Sequence, residues 1–285
     1  MRACIVALLA LVFGCREPAT LLTQLDDARA LAADLRIQFN QSADASNRAV
    51  MADTDEASIA FAGESRVATA VVEKDLTALA PLLHALALPR ESGILEDFRG
   101  HFSEYGELDR KVLSLAVENT NLKAQALSFG PARQAADRFR DALAPVASRA
   151  SPKDQCRAAA LVAQAVEAVQ EIQVLYGPHI AEHDDAAMTK MEAEMATHEA
   201  DARSSLKSLE GLAPPSARSS LAAGRAALDE LKGITAKLVE LSRRNTNVLS
   251  LDLALRKKPA LAVICDQRLS ALERALADEG SKATR

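Results

Sequence analysis

The chain has 285 residues, of which 26% are charged and 3% aromatic, with no tryptophan and a formal net charge of −5. No basic block is present to neutralise phosphates, which argues against a nucleic-acid partner. Glycine-rich phosphate loops, Gly-x-Ser-x-Gly elbows and His-Glu-x-x-His helices are also absent from the sequence, so no enzyme class is indicated and no cofactor is expected. Ala, Leu, Glu, Arg, Lys and Gln dominate, which is the vocabulary of an all-α fold.

The first element is a leader. Met1-Arg2 carries one positive charge, Ala3 to Phe13 is an apolar run, and Gly14-Cys15 follows. About 11 apolar residues fall short of the roughly 20 that cross a bilayer as a helix, so residues 1–14 read as a signal peptide. "VFGC" resembles the lipobox of bacterial lipoproteins. The resemblance implies cleavage before Cys15, a lipid on its sulfur, and attachment of the chain to a membrane. Arg16 is not the Asp that favours inner-membrane retention, so the resemblance further implies an outer-membrane lipoprotein facing the periplasm or the surface. Cleavage without lipidation gives a secreted or periplasmic chain instead. No later apolar stretch is read as membrane-spanning.

Beyond the leader, Gly and Pro punctuate long helical runs. "ALPRE", "FGPA", "ASPKD", "YGPH" and "LAPPS" supply stops and starts, with Gly130 and Gly177 as stops and Pro131 and Pro178 as first-turn residues. Ser151 reads as an N-cap with Pro152 at the first helical position. Helices are predicted near 19–50, 53–88, 91–128, 131–148, 152–175, 179–210, 216–256 and 259–279. A shift of 126 residues carries Pro89 to Pro215, Leu95 to Leu221, Arg99 to Arg225, Glu104 to Glu230, Lys111 to Lys237 and Asn119 to Asn245. That pattern reads as an internal duplication. The expected architecture is two tandem up-down four-helix bundle modules, residues 18–148 and 152–280.

The most specific repeated feature is Asn119-Thr120-Asn121, which returns as Asn245-Thr246-Asn247. Val112, Leu115, Asn119, Leu122, Ala126 and Phe129 follow the three-and-four spacing of a core seam, and Leu238, Leu241, Asn245 and Val248 repeat it. On continuous helices, Asn119 and Asn245 point inward, as a polar layer that fixes register or as ligand-binding amides. Asn121 and Asn247, about 200° further round, turn to solvent or to an interface. A register-fixing layer predicts that Asn119→Leu leaves the fold intact or more stable.

"FSEYGELDRKVLSLAVENTNLKAQAL", residues 102–127, resembles the third helix of the four-helix-bundle sensory domains of bacterial chemotaxis receptors. The resemblance covers about a quarter of each module and implies a small polar or anionic ligand bound at a dimer interface. No arginine of this chain matches the carboxylate-holding arginines of that family, and its transmembrane and signalling regions have no counterpart here.

Met188, Met191, Met195 and His198 share one predicted helix face, with His179 and His183 upstream at i, i+4. Thioethers and imidazoles suit Cu(I), and a histidine pair suits Zn²⁺, while the same spacing serves equally as a packing seam. Cys156 and Cys265 are expected as free thiols. Two function classes follow: a lipid-anchored bundle binding a small polar or anionic ligand without catalysis, or a structural, protein-interacting module of the cell envelope, with a homodimer or an envelope protein as partner. Envelope Cu/Zn binding through the Met/His stripe is a third.

Overall fold

The structure is a computed structural model that describes residues 18–283. The leader and Cys15 lie outside the described residues. Among those described, every regular element is helical. They are α1 (Pro18–Met51), α2 (Asp55–Ala85), α3 (Pro89–Glu118), α4 (Thr120–Leu127), a π-helical turn (Ser128–Ala132), α5 (Arg133–Arg149), α6 (Gln155–Ala181), α7 (Asp185–Glu210), a 3₁₀ turn (Pro215–Ala217), α8 (Arg218–Arg244), α9 (Thr246–Arg256) and α10 (Lys258–Ala283).

The periodicity of the sequence produces these helices directly. Along α1, Leu25, Ala28, Ala32, Leu35, Phe39, Ser42, Ser46 and Ala49 are all buried, an unbroken alternation of three- and four-residue steps. The chain divides into two compact units, Met1–Ala45 with Gly63–Glu107 and Lys258–Arg285, and Ser46–Ala62 with Leu108–Lys257. In the first, α1, α2, α3 and α10 close around Leu35, Leu79, Leu83, Leu95, Leu269 and Leu272. Phe39 lies at its centre, with ring centroids of Phe98 and Tyr105 at 6.0 and 5.2 Å in edge-on geometry. In the second, α5, α6, α7 and α8 close around Phe139, Leu143, Val169, Ile172, Leu206 and Leu231. Gly224 on α8 permits the close approach of α5, since a Cβ there would meet Leu143 Cδ2 at 2.9 Å.

The unit boundaries do not fall at the joint near 148–152. Residues 18–148 contribute α5 to the second unit's core, and residues 152–280 contribute α10 to the first unit's core. The alternation of apolar residues that predicts a helix does not say which helices share a core, which is why composition by halves is not the composition of the units.

Several expected boundaries also move. Pro131 and Pro178 do not break the chain: Pro131 sits in the π-helical turn and Pro178 inside α6, which continues to Ala181. A π turn shifts the hydrogen-bond ladder, so the missing N–H of a proline costs less there than in a regular helix. Residues 152–154 form a turn before α6, and Ser151 Oγ donates to Asp154 Oδ2 at 2.6 Å instead of capping the helix. By length and composition α6 is apolar enough to cross a membrane, contrary to the sequence reading. In the second unit its Ala165, Val169, Ile172 and Tyr176 line the core.

Candidate functional site

Both Asn-Thr-Asn triplets lie in the second unit, and they meet. Asn119 and Asn245 adopt left-handed backbone conformations, with φ of 51° and 53°. Each closes one helix and opens the next, so α3 and α4 are separate helices, as are α8 and α9. Asn is among the few non-glycine residues that visit this region readily, because its short amide can hydrogen-bond locally. The first helical bonds then run from Lys123 N to Asn119 O at 2.9 Å and from Leu249 N to Asn245 O at 3.0 Å.

A helix start leaves its first N–H groups without intrahelical acceptors. Here each triplet supplies the acceptors of the other. Thr120 N donates to Thr246 Oγ1 at 3.2 Å, and Thr246 N donates to Thr120 Oγ1 at 3.1 Å. One position on, Asn121 N donates to Asn247 Oδ1 at 3.1 Å, and Asn247 N to Asn121 Oδ1 at 3.2 Å. The two hydroxyls lie 3.2 Å apart. The amides close the ring: Asn121 Nδ2 donates to Asn245 Oδ1 at 2.8 Å and Asn247 Nδ2 to Asn119 Oδ1 at 2.9 Å. Two helix N-termini, each carrying partial positive charge, therefore face side-chain oxygens of the opposite segment.

The knot also grips the end of α6. Asn121 Nδ2 donates to Ile180 O and Asn245 Nδ2 to Glu182 O, both at 2.7 Å. On its exposed side, Arg244 Nη2 donates to Glu118 Oε2 at 2.6 Å, pairing two further residues that the 126-residue shift relates. The reciprocity is incomplete at one atom: Asn119 Nδ2 is buried without an acceptor among the described residues.

Asn119 and Asn245 are thus buried as the sequence predicts, but Asn121 is buried too, within the unit and not turned to solvent or to an interface with a partner. Asn247 is half-buried. The left-handed residue breaks the 100° progression on which the expected orientation rested, and it also carries Phe129 off the seam to 70% exposure.

A second polar layer lies beside the knot. His179 is fully buried, with Nδ1 2.8 Å from Ser242 Oγ and Nε2 2.9 Å from Glu192 Oε1. Arg243 Nε donates to the same carboxylate at 2.6 Å and, with the imidazole contact, holds Glu192 below its ordinary value against the opposing effect of burial. Ser, His and Glu form the donor set of nucleophilic catalysis. Here Ser242 is fully buried and its hydroxyl donates to His179 O at 2.8 Å, so these contacts tie α6, α7 and α8 together.

The proposed metal stripe does not converge. α6 ends at Ala181, so His183 leaves the helix and is exposed while His179 is interior. Met188 and Met195 are buried in the core, and Met191 packs against it. His198 lines a separate open groove of about 510 Å³ with Glu167, Glu171 and Asp201. Among the described residues no group of three or more His, Cys, Asp or Glu side chains is placed to hold a metal ion. Asp184 caps α7, accepting from Ala187 N at 2.8 Å. Cys156 is exposed and Cys265 buried, both as free thiols.

The fold and this site define an all-α helical-bundle protein. No protein-family model, curated protein or solved structure matches the chain.

Proposed function

We propose that the chain is a non-enzymatic, lipid-anchored structural module of the cell envelope, exported by residues 1–14 and held at the membrane through Cys15. The observation that carries this reading is the closure of the Asn-Thr-Asn knot. All but one of its side-chain donors and acceptors, Asn119 Nδ2, are spent on each other and on the backbone of residues 180 and 182. Such a closed network fixes how helices join and presents few free polar groups to a small molecule.

We further propose that the chain arose by duplication. The order of five helices, α1 to α5, recurs as α6 to α10, and the break at a left-handed Asn recurs at the same place. Residues related by the shift of 126 bond to each other at the knot, as equivalent residues do across a two-fold interface. The duplicated ancestor thus paired with itself, and a homodimer or another envelope protein is the partner class proposed for the outer faces.

A second reading is favoured by one atom. Asn119 Nδ2 is a buried donor without an acceptor among the described residues, which a small polar or anionic ligand would supply. A thermal-shift series with amino acids, organic acids and Cu²⁺ or Zn²⁺ salts separates the readings. A specific ligand at 1,000 times its Kd stabilises by about 4 kcal/mol. The structural reading predicts no shift with any of them; a saturable rise in Tm with one contradicts it.

A further inference from the structure

At one end of the first unit, Leu21, Leu22, Leu25, Leu86 and Leu88 line an open, mainly apolar groove of about 440 Å³, rimmed by Glu279 and Lys282. Leu21 and Leu22 are 37% and 41% exposed, and Leu86 and Leu88 are half-buried. The turn between α2 and α3 builds the far wall. Ala87 takes φ of 54°, Leu88 N donates to Leu83 O at 3.0 Å and Ala87 N to His84 O at 3.1 Å. That pair of bonds is a Schellman stop, which usually places glycine where Ala87 stands, and it sets Leu86 and Leu88 on either side of the left-handed residue along the groove.

The position of this groove along the chain identifies what faces it. Cys15 precedes Pro18, the first residue of α1, by three positions, and a fully extended chain of that length spans only about 10 Å. Leu21 and Leu22 lie one turn further into α1. A lipid on Cys15 therefore keeps the leucine-lined end at the bilayer surface, where the effective concentration of acyl chains is high. A lipid anchor fixes where the chain is held but not which face it turns to the bilayer, and a second apolar contact adds binding and orientation.

We propose that this groove is a lipid-binding site that takes acyl chains of the bilayer in which the Cys15 lipid is inserted, orienting the first unit at the membrane. The inference rests on lipidation of Cys15. The chain has no tryptophan, so a single substitution supplies a reporter. The full chain, produced in a bacterial host with its own leader, is made with Leu22→Trp, and separately with Val67→Trp, an exposed position on α2 about 27 Å along the helix from Ala85. The mass of the N-terminal peptide reports the lipid on Cys15, circular dichroism reports the fold, and both proteins are reconstituted into phosphatidylethanolamine–phosphatidylglycerol vesicles with and without brominated acyl chains. The expected result is lipid on Cys15, at least twofold quenching at position 22, little at position 67, and loss of the difference when Leu21→Glu and Leu86→Glu are added. Equal quenching at both positions on a lipidated, folded chain overturns the groove and leaves the anchor standing. A Cys15 without lipid overturns the anchor, and the inference with it.

Discussion

Asn245 carries two duties that no aliphatic residue can share. Its backbone is left-handed, and its amide both accepts from Asn121 Nδ2 and donates to Glu182 O. A leucine there meets a steric cost of about 1–2 kcal/mol in the backbone and leaves buried polar partners unpaired at about 1–3 kcal/mol each. Asn245→Leu is therefore expected to cost at least about 3 kcal/mol in urea denaturation. Asn119→Leu should also destabilise, by less, since Asn119 makes one such side-chain bond, from Asn247 Nδ2. This reverses the outcome drawn from the sequence, which took Asn119 for an interior residue of a continuous helix. Asp75 shows the opposite balance. It is 5% exposed, and burial, then the neighbouring Asp34, raises its carboxyl above 3.8. A carboxyl raised on folding binds its proton more readily in the folded state, so stability grows as pH falls from neutral toward the raised value and is reduced above it. Asp75→Asn is predicted to raise Tm at pH 7 and to flatten that part of the pH profile.

At the scale of elements, α6, α7 and α8 are held together by a titratable group. Arg243 holds Glu192 below its ordinary value of 4.5. A depressed carboxylate contributes stability that is fully present above the unfolded value and is lost as pH falls through the folded one. Melting curves between pH 5 and pH 3 should fall more steeply for the natural chain than for Glu192→Gln, with the variant already lower at pH 6; parallel curves would remove Glu192 from the account. Much of this helical order is legible in the sequence. The three-and-four spacing of Leu25 to Ala49 marks α1, whereas α7 starts at Asp185 and not near 179 as the proline punctuation suggests. The breaks at Asn119 and Asn245 are not, because neither glycine nor proline stands there and a left-handed Asn leaves no periodic trace. Pro131 and Pro178 mislead in the other direction, since a π turn absorbs the missing donor at Pro131 and Pro178 stands on the exposed side of α6 close to its end, where water can satisfy the freed carbonyl. The repeated triplet is legible in the sequence and its reciprocal pairing is not, because a repeat of residues says nothing of contact.

For the whole molecule, two of the four cysteines, Cys156 and Cys265, report separately on the two units. Cys156 is exposed in the second, and Cys265 is buried in the first, where desolvation and then Glu104 push its thiol up to about 12. A maleimide is expected to label Cys156 at once in the native chain and Cys265 only on unfolding. Rapid labelling of both would mean that α10 does not stay in the core of α1, α2 and α3. Each Asn-Thr-Asn segment caps the helix start of the other. Thr120→Val and Thr246→Val, which keep volume and remove the paired hydroxyls, form a double-mutant cycle on the reciprocal bonds. Reciprocal capping predicts a coupling of about 1–3 kcal/mol between them, and additivity within about 0.5 kcal/mol would contradict it.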